Sequence, residues 1–274
     1  MQPMLNIASQ AAIHAGKIIN QHVDRLDTVK VNLKGFNDFV TDVDKKVETV
    51  ITQALQAAYP EHNIIGEEQG DLEISSDYTW LIDPIDGTTN FMHGFPQFAV
   101  SIALQYKKET CLGVIYDPNS HELFTCIKGK GAKRDNKKIR VSAPKTISRS
   151  LIGTGFPARN ATDIDTYLKV FKDILSQTSG VRRAGSAALD LAYVASGRLN
   201  GFWESGLKPW DIAAGMLMIS EAGGIVTDFQ GQEACPNKGE VVAGSAVTHK
   251  ILLSAIKRHH QSAEGDKSAQ IGSE

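Results

Sequence analysis

Apolar residues near the start of the chain recur at helical spacing. Leu5, Ala8, Ala12, Ala15, Ile19 and Val23 share one face, which predicts an amphipathic first helix. Val29, Val31 and Leu33 then alternate like a short strand, and Lys34-Gly35 begins a loop. Thr41-Asp42-Val43-Asp44 opens a second helix. Thr41 with an acid three residues later resembles a capping box, with Asp in place of the usual Glu. Val43, Val47, Val50, Ile51, Leu55 and Ala58 form its buried stripe, and Pro60 ends it. Residues 63–66 read as a short strand running into Glu67-Glu68, with a polar connection over 69–77. Trp80-Leu81-Ile82 reads as a buried strand that ends in Asp83, where Pro84 lacks the N–H that regular pairing needs.

Residues 98–105, 111–116 and 122–127 read as successive antiparallel strands. Lys107-Lys108-Glu109 and Asp117-Pro118-Asn119 are the turns between them. Residues 128–140 are basic and punctuated by Gly, which predicts a hairpin with a solvated basic face. From Leu151 the pattern changes to alternating strands and helices. Strands are expected at 151–155, 200–203, 225–228 and 241–243. Helices are expected at 163–175, 187–195, 210–222 and 248–258, with Gly223-Gly224 as a C-cap signature. This divides the chain into an α+β half over 1–145 and an α/β half over 146–260. The polar tail over 261–274 has little to bury and reads as disordered.

Composition narrows the class. The chain has 274 residues, 42% hydrophobic and 22% charged, enough for a large core. A net charge of −2 sets up no global field toward nucleic acid or an acidic membrane. Cys111, Cys126 and Cys235 show no paired spacing and suit free thiols in a reduced compartment. No stretch has the apolar length of a membrane span or of a signal-peptide core. These features together read as a cytoplasmic protein without a membrane partner. The histidines show no zinc spacing. His14, His22, His259 and His260 read as solvated.

The chemistry gathers where strands end in acids. Glu67 and Glu68 follow one strand. Asp83 and Asp86 follow another, with Gly87, Thr88 and Thr89 next. If the two strands pair, Glu67, Asp83 and Asp86 converge. Carboxylates suit hard cations, and a Gly-containing turn before hydroxyl residues suits phosphate. Taken alone, Asp-x-x-Asp-Gly reads equally as a turn and a helix cap, as does Asp42. Packed together, such carboxylates would repel one another strongly, so the set as a whole points to bound cations.

Three motifs occur in order: Gly66-Glu67-Glu68, then 83–91 as Asp-Pro-Ile-Asp-Gly-Thr-Thr-Asn-Phe, then 210–215 as Trp-Asp-Ile-Ala-Ala-Gly. Over residues 5–260 the chain thereby resembles the inositol monophosphatase family. Lys208-Pro209-Trp210-Asp211 is similar to its bacterial branch. The resemblance implies a layered αβαβα sandwich, an α+β arrangement continued by α/β, as in the wider fructose-1,6-bisphosphatase superfamily. It also implies a homodimer and a phosphatase that uses two to three Mg²⁺ per subunit and is inhibited by Li⁺.

Carried over by position, Glu67, Asp83 and the Ile85 carbonyl hold one metal. Asp83, Asp86 and Asp211 hold a second, and Glu67 with water holds a looser third. Thr88 with Asp44 orients and activates the attacking water. The Gly87 and Thr88 amides receive phosphate oxygens. Gly185, Ser186, Ala187, Glu204 and Asp211 form the substrate side, with Glu68 behind the metal ligands. Lys34 falls in a mobile loop of the family, here one residue shorter.

The substrate implied is inositol-1-phosphate, a reading that Glu204, seven residues before Asp211, favours. Fructose-1,6-bisphosphate, 3′-phosphoadenosine 5′-phosphate and histidinol phosphate are the superfamily alternatives. Bacterial relatives can also associate with the transcription machinery and affect ribosomal RNA synthesis, so the resemblance implies a regulatory alternative too. Lys128 to Arg140 and Arg182-Arg183 are its candidate RNA contacts.

Overall fold

The computed structural model describes residues 1–23, 25–26, 29–35, 38–68, 70–72, 74, 76–157 and 164–271. The side chains of 32–35, 38, 39, 71, 72 and 261–271 are outside the description. The chain begins with α1 (Gln2–Val23), the hairpin β1 (Val31–Gly35) and β2 (Asp38–Thr41), and α2 (Asp42–Ala58). β3 (Asn63–Gly66), β4 (Gly70–Leu72), β5 (Tyr78–Asp86), the one-turn α3 (Thr88–Met92), β6 (Ala99–Tyr106), β7 (Glu109–Asp117), β8 (Glu122–Ile127), β9 (Gly131–Arg134) and β10 (Lys137–Lys138) follow. The second half comprises β11 (Leu151–Thr154), α4 (Ile164–Gln177), β12 (Gly180–Arg182), α5 (Ala187–Ala195), β13 (Gly201–Ser205), α6 (Pro209–Glu221), β14 (Ile225–Thr227), β15 (Glu240–Gly244) and α7 (Ala246–Ile271).

The first half supplies an eight-stranded sheet of order β10-β9-β8-β7-β6-β5-β3-β4. The second supplies a five-stranded sheet of order β12-β11-β13-β15-β14. Alternation along the strands sorts side chains into three cores. Trp80 and Ile82 face α1 and α2, packing with Ala12, Ile19, Val47 and Ile51. Leu81, between them, faces the opposite way, toward Leu191 of α5 and Ile212 of α6. On the small sheet Phe202 joins that middle core, while Trp203 turns outward to Val170 of α4 and Leu252 of α7. The layers therefore run helix, sheet, helix, sheet, helix, the sandwich that the motifs imply.

Several local expectations change. Pro84 does not end its strand. β5 continues to Asp86, with a register break against β6 between Asp83 and Asp86. A bulge places Pro84 where no ladder N–H is required. The polar connection after Glu68 contains β4, antiparallel to β3. Gly35 ends β1 rather than opening a loop, and β2 pairs back on it. β12 is a short edge strand parallel to β11 that the sequence pattern did not show.

Helix α7 continues to Ile271, through most of the tail expected to be disordered. Gln261, Ala263, Glu264, Lys267, Ala269 and Gln270 favour helix without needing a core. Two histidines expected in solvent are engaged: His259 Nε2 lies 3.1 Å from Asp173, and the His260 ring packs edge-on against Phe229. His22 is partly buried, its Nδ1 2.7 Å from the Ile18 carbonyl oxygen.

Candidate active site

β3 and β5 are parallel, with Gly66 opposite Ile82. The Glu67 N–H donates to the Ile82 carbonyl at 3.2 Å, so the two strands deliver Glu67 and Asp83 to the same level. Glu48 of α2, only 1% exposed, clamps this turn: its Oε2 accepts from the Glu68 N–H at 2.9 Å. A Cβ on Gly66 would overlap the Glu48 carboxylate, so glycine is what lets the clamp close. Asp83 is buried in the bulge, where its Oδ1 accepts from the Ile85 N–H at 3.0 Å. Burial pushes its pKa well above the ordinary carboxylate range, and Glu67, Asp86, Asp211 and Asp44 each push it further.

Asp44 enters from the start of α2. Its Oδ2 accepts from the Thr41 N–H and hydroxyl while Thr41 caps the helix in return, the capping box expected. Its Oδ1 faces Thr88, whose hydroxyl lies 3.0 Å from both Asp44 Oδ1 and the Ile85 carbonyl oxygen. One hydroxyl proton can serve only one of these acceptors well. Burial raises the Asp44 pKa against the lowering effect of the Thr41 and Thr88 hydrogen bonds. Gly87 precedes α3 with φ 100°. A Cβ there would sit 2.9 Å from the Gln97 carbonyl oxygen and 3.1 Å from that of Gly185. Left-handed backbone and close approach together require glycine.

The second half closes the site. Asp86 Oδ2 accepts from the Ser186 hydroxyl at 2.5 Å and from the Ala188 N–H at 2.7 Å, tying β5 to the start of α5. Burial lifts the Asp86 pKa to about 6, with those hydrogen bonds opposing it. The Ser186 hydroxyl is thus engaged with Asp86, so its contribution is to orient that carboxylate. Asn90 Nδ2 donates to the Ala184 carbonyl at 2.9 Å and holds the strand-to-helix loop carrying Gly185. Asp211 lies in the first turn of α6, its Oδ2 accepting from the Lys208 N–H at 2.8 Å. Glu204 is the penultimate residue of β13, and burial, Asp190 and Asp86 raise its pKa while Arg183 opposes them.

The chemistry of the donor set suits a divalent cation. Burial and four acidic neighbours, Glu67, Asp86, Asp211 and Asp44, all raise the Asp83 pKa, and a bound cation would relieve that repulsion. Oxygen donors of this kind, with the Ile85 carbonyl beside them, fit Mg²⁺. Among the described residues, no three Asp, Glu, His or Cys side chains already close on one ion-sized point. The structure supplies proximity and chemistry, short of a preformed cage.

Glu67, Asp83, Asp86, Asp211, Asp44 and Glu204 thus belong to one electrostatic neighbourhood, with Ile85, Gly87 and Thr88 threaded through it. Glu68 takes part through its backbone N–H. The Lys34 side chain lies outside the described residues. Glu48, Gly155 and Asp190 were not singled out from the sequence. Glu48 looks like any solvent-facing helix acid, and only the fold buries it. Gly155 gave no signal either, although a Cβ there would overlap the Glu204 carboxylate.

The profile of the inositol monophosphatase family matches residues 1–261. The chain belongs to the inositol monophosphatase family. It is 50% identical over 264 residues to the Nus factor SuhB of Pseudomonas aeruginosa, covering 94% of this chain and 97% of that protein. The crystal structure of extragenic suppressor protein suhB from Bartonella henselae is 42% identical with a TM-score of 0.89, covering 92% of this chain and 97% of that one. The structure of an inositol monophosphatase from Anabaena is 38% identical with a TM-score of 0.81, over 94% and 96% of the two chains. Among its described residues, this member of the inositol monophosphatase family has no helix long and apolar enough to cross a membrane.

Proposed function

We propose that the chain is a Mg²⁺-dependent phosphatase that releases inositol and phosphate from inositol-1-phosphate and related polyol monoesters. The observation that carries this reading is the buried Asp83, whose pKa is raised by burial and by Glu67, Asp86 and Asp211 beside it. In this reading Glu67, Asp83 and the Ile85 carbonyl would hold one cation, and Asp83, Asp86 and Asp211 would hold another, with Glu67 helping a third. Bound divalent cations would supply charge neutralisation for the phosphoryl group and acidification of water. Thr88 and Asp44 orient the attacking water and receive its proton, a role supported by the 3.0 Å between the Thr88 hydroxyl and Asp44 Oδ1. The Gly87 and Thr88 amides steady the phosphoryl oxygens. Glu204 accepts from hydroxyls of the leaving alcohol, beside Gly185 and Ala187. No Cys or His is needed as a nucleophile. The Anabaena relative's name supports the choice of inositol phosphate.

The test is phosphate release with Mg²⁺, with and without Li⁺, from inositol-1-phosphate, fructose-1,6-bisphosphate, 3′-phosphoadenosine 5′-phosphate, histidinol phosphate and glycerol-2-phosphate. Li⁺-sensitive release strongest from inositol-1-phosphate is expected. A different preferred ester would replace the substrate, and release from none would remove the activity.

A second role, in ribosomal RNA transcription, is favoured by the Nus factor name of the Pseudomonas relative. The β9–β10 hairpin gives it a candidate surface. Lys133 lies opposite Lys138 and Arg134 opposite Lys137, so both rungs set like charges face to face. Retention of RNA polymerase or Nus factors on the immobilised protein is expected, and the substitutions Lys133→Glu and Lys138→Glu should reduce it. Recovery at background level would count against this role.

A further inference from the structure

On the smaller sheet Ile152 and Trp203 face α4 and α7. By alternation, Gly153 and Gly155 on the β11 side, and Phe202 and Glu204 on β13, face α5. β11 and β13 are parallel, with Gly153 opposite Phe202. Gly155 and Glu204 therefore lie toward the carboxyl ends of parallel strands, where α/β sheets receive ligands. Both glycines leave room for acids. A Cβ on Gly155 would overlap the Glu204 carboxylate, and one on Gly153 would sit 3.4 Å from the Asp190 carboxyl carbon. Asp190 lies one turn along α5 from Ser186, the residue that grips Asp86.

Asp190 is only 2% exposed. Among the described residues its carboxylate accepts no hydrogen bond, in contrast to Asp44, Asp86 and Asp83 of the same site. Burial first and then Asp86 raise the Asp190 pKa, and Asp190 in turn acts by charge on Glu204. Arg183 opposes both, its guanidinium stacked on Phe156 at 4.9 Å. A buried acceptor left without a donor is costly to the fold. Such a group is complementary to a ligand that brings donors of its own.

We infer that Asp190 is a specificity residue for the leaving alcohol, forming with Glu204 a paired acceptor floor for two hydroxyl donors of a polyol. The inference rests on the phosphatase reading above. Two acceptors, one from α5 and one from β13, are both satisfied only by an alcohol with more than one hydroxyl. An alcohol without hydroxyl donors leaves both unpaired, and discrimination of that kind is strong.

The experiment compares inositol-1-phosphate with 4-nitrophenyl phosphate, whose leaving group carries no further hydroxyl, in the Mg²⁺-loaded protein and in Asp190→Asn and Asp190→Ala. In Asp190→Asn the KM for inositol-1-phosphate should rise about tenfold with little change in kcat. The ratio of kcat/KM for inositol-1-phosphate to that for 4-nitrophenyl phosphate should fall by about the same factor. Asp190→Ala should lower the ratio further. The thermal midpoint of Asp190→Asn should stay level or rise, because an amide of the same shape replaces a buried carboxyl that accepts no hydrogen bond among the described residues. Equal losses on both esters, or an unchanged KM for inositol-1-phosphate, would overturn the inference. A lowered midpoint with equal losses would reassign Asp190 to the fold. Release from neither ester by the unsubstituted protein would overturn the phosphatase reading, and this inference with it.

Discussion

Asp83→Asn is expected to reduce kcat/KM for inositol-1-phosphate by at least about 10³-fold, a loss of transition-state stabilisation of roughly 4 kcal/mol or more. In the proposed site both principal cations share this one carboxylate, so a neutral amide removes charge from both at once. The fold should survive. Asn has nearly the same shape, and its Oδ1 can still accept from the Ile85 N–H as Asp83 does at 3.0 Å. Added Mg²⁺ should protect the unsubstituted protein against heat and protect the variant much less.

Asp83 also governs stability when no metal is bound. Asp83 has a pKa raised well above its ordinary value of 3.8 by burial and four acidic neighbours. The native state therefore holds that proton more tightly than the unfolded chain. Its contribution to stability is full below pH 3.8 and is lost as pH rises through the native value. Asp83→Asn should flatten that decline in thermal midpoint measured in chelator. Retained turnover in the variant would remove Asp83 from the metal site.

Asp44→Asn should lower kcat by about 10²- to 10³-fold, within the range for loss of a positioned proton acceptor. Asp44 uses one oxygen for Thr41 and the other for Thr88. Asn has one acceptor oxygen and must give up one of these partners. If it keeps the Thr41 contact, Thr88 loses its relay; if it keeps Thr88, the capping box of α2 opens at a cost of about 1 kcal/mol. Thr88→Ala separates the two effects: it should lower kcat similarly without loosening α2. The double variant should be little slower than either single one, because the pair acts as a unit. Additive losses in steady-state kinetics would show that the two residues act independently.

The parts of the site that were legible from the sequence are those where local rules carry function. Gly87 needs left-handed backbone, and Asp83 and Asp86 flank a proline that a regular ladder would exclude. Thr41 and Asp44 have capping-box spacing. Each signal sits within a few residues. The reading of Pro84 as a strand stop failed because propensity describes a regular ladder, and a bulge removes the conflict. The tail was read from low hydrophobicity, which tests for a core and not for a helix.

Order along the chain determined the family motifs, the strand and helix alternation of the second half, and the acids available to the site, because these depend on residue type and short spacing. Only the tertiary structure decided which acids become neighbours. Parallel pairing of β3 with β5 sets Glu67 beside Asp83, and the Ser186 bond to Asp86 joins positions 100 residues apart. Glu48 and Asp190 have ordinary helical surroundings in the sequence, and what makes them matter is burial. Burial depends on the layers that close over a side chain, and those layers come from distant parts of the chain.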